Sequence, residues 1–298
     1  MTSVSGLIAI CLLEGALLLL TGLAVGRERW RLALAGALGV VCLSVPFLVP
    51  TSVPALRAFL GLASLFAVLR TIEIGSDSRA HAAPLRMFAY VAPLDALAMR
   101  RMARRLDLRG VAAAFGHGCL AALGCVIVWL APSGQLHWPA ATFGCVIALY
   151  GAMDAASALT HSLLLGVGLH APPVQSTPVL SRSIAEFWGR RWNGAVGGWL
   201  RKHCFLPLAR RRHARLGVLA SFGASGALHF WPVLIAAGTA PAAAMGLFFV
   251  IHGGLVLLET RLGVSRWAPA RARAWTVTAM LVTSPLFAIP VLLACGVS

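Results

Sequence analysis

The sequence predicts an all-α protein that crosses a membrane about eight times, and three observations predict it. Of its 298 residues, 59% are hydrophobic and only 11% charged, with a mean hydropathy of +0.84. Soluble domains run to roughly 45–50% apolar and about 25% charged. Second, apolar runs of about 20 residues, the length that spans a bilayer core, recur along the chain. Third, the basic residues collect in alternate loops between those runs.

The runs fall at about 4–25, 32–50, 55–74, 111–131, 139–168, 216–237, 241–259 and 274–295. The first lacks a basic leader and carries Glu14 inside the apolar stretch, so it reads as a retained helix rather than a cleaved signal peptide. The fifth exceeds one bilayer thickness and is expected to tilt, kink at Gly151 or continue beyond the membrane. Loops after the odd-numbered spans hold Arg27, Arg29 and Arg31, then Arg79 through Arg109, Arg182 through Arg215 and Arg261 through Arg273. With Arg70 at the inner end of the third span, every basic residue except Arg57 lies on one side. Positive charge marks the cytoplasmic side, so both termini are expected outside. Arg-rich, Lys-poor and Ala-rich usage suggests a GC-rich bacterial genome and hence the bacterial cytoplasmic membrane.

The same distribution bears on partners. A net charge of +16 on a nucleic-acid binder would spread over a soluble surface, whereas here it lies between spans and faces lipid headgroups. Membrane lipids are the expected partner and nucleic acid is not. Seven cysteines show no metal-binding or disulfide spacing, and six lie in apolar runs. Phosphate-loop, nucleophile-elbow, zinc-protease and dinucleotide motifs are missing. No metal and no cofactor is expected.

The chain reads as one integral membrane domain, 1–298, without internal repeats, and with two cytoplasmic segments. Residues 75–110 place Arg100, Arg101, Arg104, Arg105 and Arg109 among Leu, Met and Ala, as in a basic helix lying along the inner interface. They serve equally as a bare topology signal. Residues 170–215 differ: Trp188, Trp192, Trp199 and several arginines are broken by glycines. Irregular backbone at membrane depth is tolerated where protein or a water-filled cavity surrounds it, so this segment is a candidate part of a site.

Ionisable groups inside the spans are costly and are functional candidates by default. Glu14 stands alone and is expected in a helix–helix hydrogen bond. Asp154 and His161, seven apart, share a helix face and either form a proton relay or bond neighbouring helices. His117 and His252, each beside glycines, read as close packing with one polar contact. His229 is different. It lies in SFGASGALHFWP, where small residues leave room for a helix or a ligand and Pro232 disturbs the helix one turn on. Counted from Leu216 at about 1.5 Å per residue, it sits roughly 20 Å from the cytoplasmic end. Desolvation there favours a neutral imidazole able to accept a proton.

PPVQSTPVLSRSIAEFWGRRWN at 172–193, WLRKHCFLPL after it and SGALH at 225–229 resemble the wax synthase-like branch of the membrane-bound O-acyltransferases. The matching residues are Ser183, Phe187, Trp188, Gly189, Arg190, Arg191, Trp192 and Asn193, then Ser225, Gly226 and His229. The resemblance covers about 172–232. It implies transfer of an acyl group from a thioester, usually acyl-CoA as co-substrate, to a lipophilic alcohol within the membrane. It also implies roles: His229 as general base, and Asn193 placing the acyl carbonyl or supporting the oxyanion. Trp188 and Trp192 would wall an acyl tunnel, Arg190 and Arg191 would meet the CoA phosphates, and Ser225 would contribute to the substrate site. The alternative roles are headgroup contacts for the arginines, interface anchors for the tryptophans, a loop cap for Asn193 and a structural polar contact for His229.

One departure is visible: many relatives carry Glu directly after the His, where this chain has Phe230. That feature favours an acyltransferase paralogue that has lost chemistry and kept a lipid-binding tunnel. A lipid transporter or flippase is the alternative from another class. The acceptor, whether fatty alcohol, sterol-like alcohol, diacylglycerol or another hydroxyl, is not encoded legibly. A homodimer is compatible with the sequence but nothing in it requires one.

Overall fold

A computed structural model describes residues 3–24, 28–76 and 100–297. The described residues are predominantly helical. Helices α1 (Val4–Ala24), α2 (Arg29–Ser44) and α3 (Pro54–Ser76) come first, with a 3-10 turn at Val45–Leu48. After the two-residue strand β1 (Arg100–Arg101) come α4 (Leu108–Trp129), α5 (His137–Gly166) and strand β2 (Leu169–His170). Short pieces follow: α6 (Ile184–Glu186), α7 (Gly194–Leu200) and α8 (Leu206–Ala209). Four longer helices close the chain: α9 (Ala214–Ala237), α10 (Thr239–Leu262), α11 (Pro269–Thr283) and α12 (Pro285–Ala294).

Among the described residues, seven helices are long and apolar enough to cross a membrane, and the bent pair α11–α12, counted as one span, makes an eighth. Their bounds agree with the sequence-based spans within a few residues. Surfaces confirm the solvent: Phe115 is 75% exposed, Trp129 82% and Val282 74%, and of α4 only Gly124 is buried. In water such surfaces would be aggregation sites; in lipid they are the expected exterior. This is an all-α, multi-pass membrane protein.

Three expectations change. The eighth span is not one helix. It bends by 43° at Ser284, where Pro285 removes an N–H donor and restricts the residue before it. The fifth span does not kink: α5 runs unbroken through Gly151, and the glycine serves close packing. A Cβ there would lie 2.5 Å from Ala121 N and 2.7 Å from His117 O. Gly124 and Gly144 bring the same two helices together, each with backbone of the other within 3.0 Å of a notional Cβ. Third, the interfacial helix expected over 75–110 is absent where the structure describes it. Arg100–Arg101 pair antiparallel with Leu169–His170, and Met102 N donates to Gly168 O, so strand pairing replaces the helical bonds. The helix begins only at Leu108, where the Asp107 carboxylate accepts from Gly110 N at 3.1 Å. Residues 77–99 of that segment lie outside the described residues.

The described residues form two compact units. Of these, one comprises 3–24, 28–76, 227–243 and 293–297; the other comprises 100–226 and 244–292. In the first, Ser64 donates to Glu14 Oε1 (2.7 Å) and also lies 2.9 Å from Cys42 O. Glu14, 1% exposed, is thus the helix–helix hydrogen bond expected, joining α1, α2 and α3. The segment 171–213, with α4, α5, α11 and most of α10, belongs to the second unit.

Candidate active site

The segment 171–213 cannot be one helix, because Pro172, Pro173 and Pro178 remove donors early in it. Its backbone groups are satisfied one turn at a time. Gln175 N donates to Ser157 Oγ on α5 at 3.1 Å. Ser183 caps α6, its hydroxyl accepting from Glu186 N at 2.9 Å. The two N–H groups before that, Ile184 and Ala185, donate to the Glu259 carboxylate of α10 at 2.7 and 3.1 Å. Glu259 also accepts from Trp275 Nε1 of α11 at 2.8 Å and is 5% exposed. Three donors around one buried carboxylate supply what such a charge requires.

Phe187–Arg191 then form a π-turn, closed by Trp192 N on Phe187 O at 2.8 Å. Such wide turns recur at functional sites. Phe187 and Trp192 stack at 5.5 Å between centroids. Trp188 lies edge-on to both, at 5.0 and 6.4 Å, and enters a ring cage of Phe222 on α9 and Phe248, Phe249 and His252 on α10. Its indole N–H donates to His252 Nδ1 at 2.8 Å. His252 is fully buried, and its other nitrogen lies 2.8 Å from Thr283 Oγ1.

Asn193 follows with φ +44°, a left-handed conformation that Asn tolerates better than most residues. Its side-chain oxygen caps α7, accepting from Val196 N at 3.3 Å, so the loop-cap role is real. Because that oxygen is the acceptor, the amide presents its N–H2 away from the cap. The Asn193 backbone N–H donates to Gln175 Oε1 at 3.2 Å. Gln175 is 7% exposed, and its Nε2 has no partner among the described residues.

The two motif arginines diverge. Arg191 is used internally: Nε donates to Glu186 Oε1 at 2.8 Å, and one terminal nitrogen donates to Ser176 O and Thr177 Oγ1 at 3.0 and 3.1 Å. Burial raises the Glu186 carboxyl, but the Arg182 N–H and the two arginines outweigh it and hold it below the ordinary glutamate value. Arg190 is exposed and makes no side-chain hydrogen bond among the described residues.

Ser225, 7% exposed, and His229, half-buried, stand one turn apart on α9. Gly226 lets α9 approach α10, a notional Cβ lying 3.4 Å from Gly246 O. Ser225 belongs to the second unit and His229 to the first. Helix α9 continues through Pro232, which has no N–H for the Leu228 carbonyl one turn back.

The remaining candidates resolve separately. Asp154 and His161 form no relay. Asp154 Oδ2 lies 3.4 Å from His117 Nε2 on α4, and His161 Nδ1 lies 3.1 Å from Ala171 O. Seven residues of helix separate them, about 10 Å of rise, and each found a nearer partner. His252 makes two polar contacts rather than one. Glu259 and Gln175 were not singled out in the sequence; an acid at the end of an apolar span and a Gln between prolines were the available signals. A cavity of about 370 Å³ is lined by Trp138, Thr142, Phe143, Leu281, Pro285 and Ile289, and none of the motif residues lines it. Among the described residues, no three His, Cys, Asp or Glu side chains gather as metal ligands would.

Comparison with known proteins bears on this site. Residues 171–251 match the membrane-bound O-acyl transferase family. A probable long-chain-alcohol O-fatty-acyltransferase 3 of Arabidopsis thaliana is 33% identical over 44% of this chain and 42% of its own length. The long-chain-alcohol O-fatty-acyltransferase of Simmondsia chinensis is 31% identical over 48% of this chain and 44% of its own. Acyl-CoA–sterol O-acyltransferase 1 of Arabidopsis thaliana is 28% identical over 51% and 48%. The chain thus covers less than half the length of these relatives. The matched stretch contains all seven candidate residues, from Trp188 to His229. Residues 171–251 thus resemble the membrane-bound O-acyl transferase family, and the relatives this chain is similar to include long-chain-alcohol O-fatty-acyltransferases.

Proposed function

We propose that the protein is an acyl-CoA:alcohol O-acyltransferase that joins a long-chain acyl group to a lipophilic alcohol in the membrane. What carries the reading is one uninterrupted family match that holds both the FWGRRWN turn and His229. Relatives of this chain are named for long-chain alcohols and, in one case, a sterol.

The chemistry follows from the groups. The alcohol oxygen attacks the thioester carbonyl while a neutral His229 takes its proton. The tetrahedral oxyanion needs hydrogen-bond donors aimed where its charge develops, and the Asn193 N–H2, turned away from its cap, is such a donor. Collapse forms the ester and breaks the C–S bond, and the departing CoA thiolate recovers the proton from His229. No covalent enzyme intermediate is required. Arg190 meets the CoA phosphates on the cytoplasmic side, where the basic loops put it, with both termini outside. Trp188 and Trp192 shape the passage for the acyl chain, and Ser225 lies one turn from the base.

The test is thiol release from palmitoyl-CoA by purified protein in detergent, with and without hexadecanol, followed by mass spectrometry of the ester. Alcohol-dependent release that falls at least about 100-fold in His229→Ala supports the reading. Release that survives in His229→Ala removes the general base assigned here. Binding of palmitoyl-CoA with no ester from fatty alcohols, sterols or diacylglycerol identifies a lapsed paralogue instead.

A further inference from the structure

We propose that His252 and Glu259, both on α10 and both beyond the family-matched stretch, are positioning residues for acyl transfer. They fix the FWGRRWN turn, and with it Asn193, at two points. The proposal rests on the acyltransferase reading above for its consequence, and on the following geometry for its content.

His252 closes a one-way chain of hydrogen bonds. An indole N–H can only donate, so the 2.8 Å contact with Trp188 Nε1 makes Nδ1 of His252 an acceptor. A neutral imidazole with an unprotonated Nδ1 carries its proton on Nε2, which donates to Thr283 Oγ1 at 2.8 Å. The Thr283 hydroxyl in turn donates to Ala279 O at 2.7 Å. Every donor has an acceptor, and no nitrogen of His252 remains to take a proton from substrate. An imidazolium at 252 would present a second N–H to the Trp188 N–H and break the chain. His252 is therefore a fixed acceptor that sets the Trp188 indole, whereas His229 is the base.

Glu259 fixes the other end. Its two oxygens take the N–H groups of Ile184 and Ala185, and Ser183 takes that of Glu186. All three leading donors of α6 are then satisfied, which short helix starts require. His252 and Glu259 are seven residues apart, so they present on one face of α10, about 10.5 Å apart along its axis. One contact would leave the segment free to swivel; two oppose both rotation and sliding. Asn193 lies five residues beyond Trp188, tied back by Trp192 N on Phe187 O and by Gly194 N on Val174 O at 2.7 Å. Displacing Trp188 therefore displaces Asn193, and shifts of about 1 Å at a reacting centre cost on the order of 100-fold in rate.

The experiment compares wild type with His252→Leu, His252→Gln, Trp188→Phe and the Trp188→Phe/His252→Leu pair. Gln carries an acceptor and a donor on one carbon, so it can replace both imidazole contacts; Leu replaces neither. Expected are a kcat for ester formation about 10- to 100-fold lower in His252→Leu and a KM for palmitoyl-CoA within about two-fold. In His252→Gln most of the rate returns, and the double variant is no slower than its slower single parent. A second readout needs no activity: the Trp188 indole N–H resonance in 15N-tryptophan-labelled protein, assigned by its loss in Trp188→Phe. It should move in His252→Leu and stay near its wild-type position in His252→Gln. Wild-type kcat in His252→Leu, or rate losses that multiply in the double variant, would overturn the proposal. An indole resonance unmoved by His252→Leu would do so even if the wild type released no thiol, an outcome that by itself removes only the proposed activity.

Discussion

The α4–α5 hairpin and the segment 171–213 lie in the same unit and solve opposite problems. In the hairpin, each helix has already satisfied its own backbone, so assembly in lipid needs only close approach. Gly124, Gly144 and Gly151 supply it, and the pair carries few polar cross-links beyond Asp154 with His117. The segment 171–213 abandons the helix repeatedly, and every break exposes backbone groups that lipid cannot satisfy. Several are met by side chains, Ser157, Gln175, Ser183, Asn193 and Glu259, with Arg191 closing the Ser176–Thr177 loop, and others by backbone carbonyls such as Phe187 O and Val174 O. Regular helices in a membrane are held by what is small, irregular ones by what is polar. The second arrangement leaves amide and guanidinium groups available for chemistry.

That contrast can be broken at graded cost. Glu259→Leu strands three buried N–H donors and is expected to lose about 3–5 kcal/mol, read as a fall in thermal unfolding temperature in detergent. A loss under 1 kcal/mol would mean that water replaces the carboxylate. In the hairpin, Gly124→Ala forces a methyl to within 2.3 Å of Ala148 N. Since that atom is backbone, the helices must part, at about 1–3 kcal/mol. The same change at Gly116, which has nothing within 4 Å, is expected to be neutral, and equal effects at the two sites would sink the packing argument.

Smaller effects separate structure from chemistry within the segment. Arg191→Ala removes its bonds to Glu186 and the 176–177 loop and is expected to cost about 1–2 kcal/mol. Asn193→Gly relieves the positive φ while losing the cap, so stability should fall by only about a few tenths of a kcal/mol. Ester formation should nevertheless drop as far as in Asn193→Ala; retention of activity in the glycine variant would reduce Asn193 to a cap. The smallest effect concerns pH. The Glu186 carboxyl lies below its ordinary value, so the folded state binds that proton less readily than the unfolded chain. Its stabilisation is complete above the ordinary glutamate value and is lost as pH falls through the lowered one. Arg191→Ala should flatten the acid limb of a stability profile over that window.

His229 and the FWGRRWN string were legible because they are strings, and the eight spans because lipid imposes length and apolarity on each segment separately. The α11–α12 bend was readable in part: Pro285 and Pro290 stood in the sequence, but span length alone hid the break. Asp154 and His161 misled because seven-residue spacing reports a shared face and not a shared partner. The converse held for His252, read as close packing with one polar contact, and for Glu259, which was not singled out. Each looked like an isolated polar residue on an apolar helix, and their common face gains meaning only when Trp188 and Ile184 are seen opposite.

What the sequence determined by itself, then, is whatever a residue does with the solvent or its near neighbours in the chain. That covers membrane class, span count and the motif order. Tertiary structure alone decided which polar groups meet: Glu259 with Ile184 across 75 residues of chain, Trp188 with His252 across 64. The physical reason is that burial in lipid demands a partner for every polar group without naming it. Only the packing of the helices selects that partner.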